Sequence, residues 1–403
     1  METPAEVKEE VKEEEDTARP LSPDQVDVGD LWRILRDKPP SESPDAATGS
    51  NERRRFVFMA PAIGYRPSHG FTAGVAADVA FYLGDPRTTR LSSMATGLRV
   101  STKQQVLGNI RFAAFSNRDA WLFQGDDRLW WTSQDTYGLG GDTPSADVEN
   151  VKYDQFRFFQ TAYRGVARGL FLGIGLNMSD HVDVRPGSGA PTDWEESAYV
   201  TYSRQYGFQV ERQTSSGPSI ALTFDTRDSQ VNAQRGTLAS LSYRTFFDGF
   251  LGGDSNWHEV YLDARTYKAI DKGARHRLAF WFLADLVAYG TAPYFDLPST
   301  GTPERSARGY AEGRYRGDHM VYGEVEYRGA LTASGLLGIV AFLNTTTIDN
   351  VAAGEKLFKS YAPGGGVGFR VLLNKRSRSN LCADYGWGKD GSRGFYLYIQ
   401  EAF

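Results

Sequence analysis

From Phe56 to Phe403 one pattern persists: apolar and polar residues alternate, segment after segment. In LFLGIGLNMS, Leu170, Leu172, Ile174, Leu176 and Met178 share one face, and Phe171, Gly173, Gly175, Asn177 and Ser179 the other. In VYLDARTY, Val260, Leu262 and Ala264 oppose Asp263, Arg265 and Tyr267. A period of two belongs to β-strands, whose successive side chains point to opposite faces. A soluble sandwich alternates as well, with its polar face in water. Two features favour a closed barrel in a membrane. Lone glycines and paired opposite charges recur on the polar face, as a crowded lumen requires. Tyr and Trp gather toward segment ends, as in RLWWTS and YGWG, where an interfacial girdle sits.

The pattern predicts an all-β fold, a transmembrane antiparallel barrel of about 16 strands. The first eight fall near 55–67, 71–84, 91–103, 106–118, 120–133, 150–167, 169–184 and 217–227. The rest fall near 236–249, 255–270, 275–291, 317–330, 335–347, 358–373, 377–388 and 394–403. If the first strand runs outward, DPRTTR, RD, DKGA, LTAS and NKRS become tight inner turns. The long connections near 134–149, 185–216, 292–316 and 348–357 then all fall outside. Short periplasmic turns with long surface loops are what bacterial barrels use.

Composition excludes much else. No apolar window reaches the roughly 18 residues of a transmembrane helix, and the mean hydropathy is −0.44. That value does not exclude a barrel, whose strands are apolar only on alternate residues. One cysteine, Cys382, rules out an internal disulfide framework. The five histidines, His69, His181, His258, His276 and His319, lack metal-site spacing. No G-x-S-x-G elbow occurs, and PGGGVG at 363–368 lacks the lysine and following helix of a phosphate loop. These readings predict no enzyme, no cofactor, no metal and no nucleic-acid partner.

Residues 1–54 differ from the rest. Eight acidic residues within positions 2–16 face only Lys8 and Lys12, and prolines follow at 20, 23, 39 and 40. Such a segment buries too little apolar surface to offset its ordering entropy, which predicts a mostly disordered, acidic tail. Near 28–37, Val28, Leu31, Trp32 and Leu35 recur at helical spacing before a double proline. That island reads either as a transient helix in a linker or as a short helix that docks a partner or plugs the barrel mouth. No secretory signal is present as written, so the numbering is expected to be that of a processed or recloned chain. At the other end, in FYLYIQEAF, alternation predicts Phe395, Leu397, Ile399 and Phe403 on one face, an outer-membrane assembly signal. Glu401 stands there where an apolar residue is more usual.

Three stretches together resemble the BamA/TamA superfamily of outer-membrane insertases and translocases, the bacterial surface antigen barrels. TFDTRDSQVNAQRGT at 223–237 is similar to the family's inner turn, with Asp225, Arg227, Asp228 and Gly236 in place. ARGY at 307–310 is similar to the arginine-glycine-aromatic tip of its sixth outer loop. YAPGGGVGFRVLL, LCADYGWG and FYLYIQEAF are similar to its last strands. The resemblance covers residues 55–403. It implies that the sixth loop folds into the lumen, where Arg308 meets Glu326, Gly309 permits the tight backbone and Tyr310 packs on the wall. It also puts an aspartate on the thirteenth strand where this chain has Asn344. Asn344 can accept one hydrogen bond from Arg308 but brings no charge, so Glu324 or Asp384 is expected to share the load.

The acidic residues of the 225–228 turn read first as a turn held by local hydrogen bonds. The resemblance implies a barrel of the bacterial outer membrane, in contact with its lipids, with the tail in the periplasm. In place of the family's periplasmic POTRA domains this chain has only the tail, so a short, POTRA-less branch is expected. The implied function is assistance in inserting, assembling or translocating unfolded outer-membrane clients, with periplasmic or lipoprotein partners docking on Leu31, Trp32 and Leu35. The alternative is a non-catalytic scaffold or anchor barrel, or one that perturbs lipids. Oligomeric state stays open.

Overall fold

The computed structural model describes residues 25–37, 39, 55–188, 194–271, 273, 275–375 and 378–403. Most of the tail expected to be disordered lies outside these residues. A short helix, α1 (Val28–Ile34), precedes the strands. The first eight strands are β1 (Arg55–Arg66), β2 (Gly70–Phe81), β3 (Ser92–Ser101), β4 (Val106–Phe115), β5 (Trp121–Thr136), β6 (Glu149–Ala167), β7 (Leu170–Pro186) and β8 (Arg212–Asp225). Then come β9 (Gly236–Phe246), β10 (Trp257–Ala269), β11 (His276–Gly290), β12 (His319–Ala330), β13 (Leu337–Ile348), β14 (Ala362–Asn374), β15 (Ser379–Gly388) and β16 (Arg393–Ile399). Each pairs antiparallel with the next, and β16 returns to β1, so sixteen strands close one barrel.

Burial is inverted relative to a protein folded in water. The exposed face carries Leu172 at 56%, Ile174 at 72%, Ile220 at 60%, Leu343 at 67% and Phe369 at 64%. The charges face inward as pairs: Arg128 with Asp126 at 3.0 Å, Arg244 with Glu259 at 2.8 Å and Arg265 with Asp263 at 2.6 Å. An apolar exterior around a polar lumen places this wall in lipid, where closure pairs all but the β1–β16 edges along their length.

The long connections are 137–148, 187–211, 291–318 and 349–361. Each follows an odd-numbered strand, so all four leave the same end. The second holds an element that the alternation pattern does not predict, α2 (Ala198–Gln205), with the Ser197 hydroxyl accepting from the Val200 amide. It begins a cluster of Tyr199, Tyr202, Phe208, Tyr294, Phe246 and Trp257 that closes this end. As a result β8 starts at Arg212, five residues before the predicted 217. At the other end the β8–β9 turn lies across the mouth. Gln230 accepts from Ser93 of β3 at 2.9 Å, and Asp228 binds Arg378, beside β15, at 2.8 Å.

Pairing is uneven around the wall. Sixteen residue pairs join β5 to β6, twelve join β1 to β2 and seven join β15 to β16. Between β1 and β16 the described residues hold one, Tyr65 with Leu397.

Candidate functional site

The connection between β11 and β12, residues 291–318, supplies the centre of the lumen. Its Arg308 is fully buried. A guanidinium in so dry a site costs several kcal/mol unless carboxylates meet it with good geometry. Three do. Nη1 donates to Asp384 of β15 at 2.5 Å, and Nη2 contacts both Glu324 and Glu326 of β12. The Phe342 ring lies 3.8 Å beneath the guanidinium carbon and adds a cation–π contact. Gly309 sits at φ 113°, and a Cβ there would come within 2.6 Å of the Trp387 carbonyl, so the close approach requires glycine. Tyr310 is buried, and its hydroxyl donates to the Pro363 carbonyl at 2.5 Å.

The structure thus brings Arg308, Glu324, Glu326 and Asp384 together. Asn344 plays a different part from the one expected. Its Nδ2 donates to the Arg308 backbone carbonyl at 3.1 Å instead of accepting from the guanidinium. An amide nitrogen can hold a carbonyl, whereas the charge is supplied from β15.

Around this centre lie groups that the motif does not name. Arg328 donates to Glu326 at 2.6 Å and to the Phe403 carbonyl at 2.8 Å. Arg370 contacts Asp384 and donates to Glu401 at 2.8 Å. Phe403 corrects a prediction. Gln400 takes a left-handed φ of 71°, which breaks the alternation, and residues 401–403 turn inward. Phe403 packs against Trp281 and Tyr267, while Phe395 stays outward at 38% exposure and Leu397 and Ile399 keep to its face of β16. Glu401, the residue out of place in an outward apolar row, was the available sequence signal for that turn.

Two neighbours in the same connection grip both sides of the weak seam. Glu304 binds Arg66 of β1 at 3.2 Å and Arg111 of β4 at 3.4 Å. Burial pushes the Glu304 carboxyl up, but Arg111, Arg66, Arg128 and Arg99 more than offset this and hold it well below the usual carboxylate range. Arg305 donates to the carbonyls of Ile399 at 3.0 Å and Glu401 at 2.8 Å, at the end of β16. Gln400 also reaches across the seam, donating to Asp78 of β2 at 2.9 Å.

In the β8–β9 turn, Asp225 accepts from the Arg227 amide and Nε, both at 3.0 Å, and from Nη2 at 2.9 Å. Asp228 caps the Gln234 amide at 2.9 Å, and Gly236 adopts φ 98°. These are local hydrogen bonds that shape a turn. Helix α1 packs at the same end. Its Asp27–Asp30 capping box is anchored by Lys375, which donates its amide to Asp27 at 3.0 Å and pairs with Asp30 at 2.8 Å. Leu31, Trp32 and Leu35 point away, 39%, 58% and 78% exposed.

No known sequence family and no curated protein matches the chain. Solved structures do. BamA from Haemophilus ducreyi lacking POTRA domains 1–3 superposes with a TM-score of 0.57 at 13% identity, covering 86% of this chain and 70% of that one. CdiB from Acinetobacter baumannii gives 0.54 at 12% identity, covering 86% of this chain and 60% of that one. CdiB from Escherichia coli gives 0.55 at 10% identity, covering 88% and 63%. This chain therefore spans less than two thirds of either CdiB. Together with the inverted burial and the sixteen-strand closure, these likenesses make the fold that of the BamA and CdiB barrels of the outer membrane.

Proposed function

We propose that the chain is a member of the BamA/TamA superfamily that assists insertion, assembly or translocation of proteins at the bacterial outer membrane, with periplasmic or lipoprotein partners. The observation that carries this reading is the seam, where among the described residues one pair joins β1 to β16 against twelve between β1 and β2. Backbone groups left unpaired in hydrocarbon cost several kcal/mol each. An incoming strand that adds to the β1 edge supplies those hydrogen bonds, so the edge is a template for strand addition. Glu304 and Arg305 hold this doorway from within, so releasing the 291–318 connection frees both sides together. In this reading α1 and the tail ahead of it stand in the periplasm, and Leu31, Trp32 and Leu35 receive a partner.

The test is a reversible lock. Tyr65→Cys with Leu397→Cys, oxidised to a disulfide, closes the seam in proteoliposomes offered an unfolded barrel client. Insertion is expected to stop on oxidation and to return on reduction. Equal insertion in both states rejects the reading. Absence of insertion in both states, with or without partner subunits, leaves the scaffold reading, which the densely paired Arg308 cluster favours.

A further inference from the structure

The outward face of β5 reads Trp121, Phe123, Gly125, Asp127, Leu129 and Trp131, and its exposed tryptophans bracket the apolar band. Ten residues at about 3.3 Å each, tilted by roughly 40°, span about 25 Å, the height of such a band. Asp127 stands near its middle. The register confirms its outward aspect: it faces Ile110 of β4 and Phe158 of β6, exposed at 43% and 36%. Nearby on the same strands, Arg111, Asp126, Arg128 and Arg157 are engaged in the lumen. Among the described residues, the one hydrogen bond to Asp127 comes from the outward Gln160 amide, at 2.7 Å. That leaves one carboxylate oxygen and part of the carboxamide facing lipid tails, which offer neither donor nor acceptor.

The relief beside this pair is not flat. Phe156, Phe158 and Leu129 form a ridge. A hollow of about 440 Å³ flanks it at Ala77, Gly108 and Ile110, and another of about 730 Å³ at Ala162, Ile174 and Pro218. Small residues in a membrane wall let a second wall approach closely.

We propose that the outer wall centred on β4–β7, with the hollows that reach β2 and β8, is a docking seat for a second copy of this chain, with each Gln160 carboxamide donating to the partner's Asp127. A two-fold contact is self-complementary, so one patch must carry both halves of each interaction. This patch does: donor lies beside acceptor, and ridge beside hollow. The proposal is independent of the seam and of any insertase role.

The experiment uses the full chain in native membranes and in lipid nanodiscs. Phe158→Cys and, separately, Leu129→Cys are oxidised and run on non-reducing gels; Cys382 is buried and serves as the internal blank. A disulfide-linked product of twice the chain mass is expected from at least one variant. Adding Asp127→Leu and Gln160→Leu should cut its yield at least tenfold while the folded band on heat-modifiable gels is retained. If that combination fails to fold, Gln160→Leu alone, which removes the donor, should lower the yield. Absence of dimer from both cysteine variants, an undiminished yield after removing the pair, or a product of another mass each overturns the second-copy proposal.

Discussion

Two stretches of this barrel wall are built by different rules. The β5–β7 wall is tall and densely laddered, with sixteen pairs between β5 and β6 alone. At the β16–β1 seam a single pair remains among the described residues, and side chains of residues 304 and 305 reach both sides of it through the lumen. Backbone ladders hold a wall permanently, whereas ion pairs and carbonyl contacts can be exchanged. The contrast teaches that the interior is the seam's fastening, and that the firm wall is free to carry an outward polar pair at its own expense.

The largest expected break in this contrast is Arg308→Ala. It leaves Glu324, Glu326 and Asp384 buried without their common cation and should cost about 3–5 kcal/mol. The unfolding midpoint on heat-modifiable gels measures it, and an unchanged midpoint removes the cluster from the account of stability. Next comes the fastening itself. Glu304→Gln with Arg305→Gln should lower stability by about 2 kcal/mol and raise hydrogen exchange at the β1 amides, leaving the β5–β6 amides as they were. Equal exchange on both sides would erase the distinction drawn above.

Asp127→Leu sharpens the comparison from the other direction. Removing a lipid-facing carboxylate should stabilise the barrel by on the order of 1 kcal/mol, so a loss of stability in dilute detergent would contradict its outward placement. The last effect concerns pH. Asp296, in the 291–318 connection, accepts from Ser215 at 2.6 Å, and burial raises its carboxyl to about 6. A raised acid favours the folded state while protonated. Its contribution is complete below the unfolded value near 3.8 and is lost as pH rises through about 6. Asp296→Asn should therefore match the parent at pH 4 and exceed it at pH 7.5, in the same midpoint assay.

Much of this was legible in sequence because lipid outside and water inside impose a period of two on every strand. Sixteen strands and the parity of the long connections both follow from that. The lumen cluster was only partly legible. Glu324 and Glu326 lie close to Arg308 in the chain, whereas Asp384, expected only as an alternative to Glu324, is 76 residues away, and barrel closure brings β15 beside the 291–318 connection. The inward turn of Phe403 depends on one left-handed residue, Gln400, a type that rarely adopts that conformation. Helix α2 hid because its aromatic residues serve a cap shared with Tyr294 and Trp257, which no local periodicity records.

Glu304 and Arg305 are consecutive, and each holds a different jamb of the same opening. Two prongs on one stem cannot be withdrawn one at a time. A displacement of that short stretch large enough to free one will unhook its neighbour. If the seam opens as proposed, it is expected to have two settings, shut and released, and its motion to register as discrete steps instead of a continuous drift.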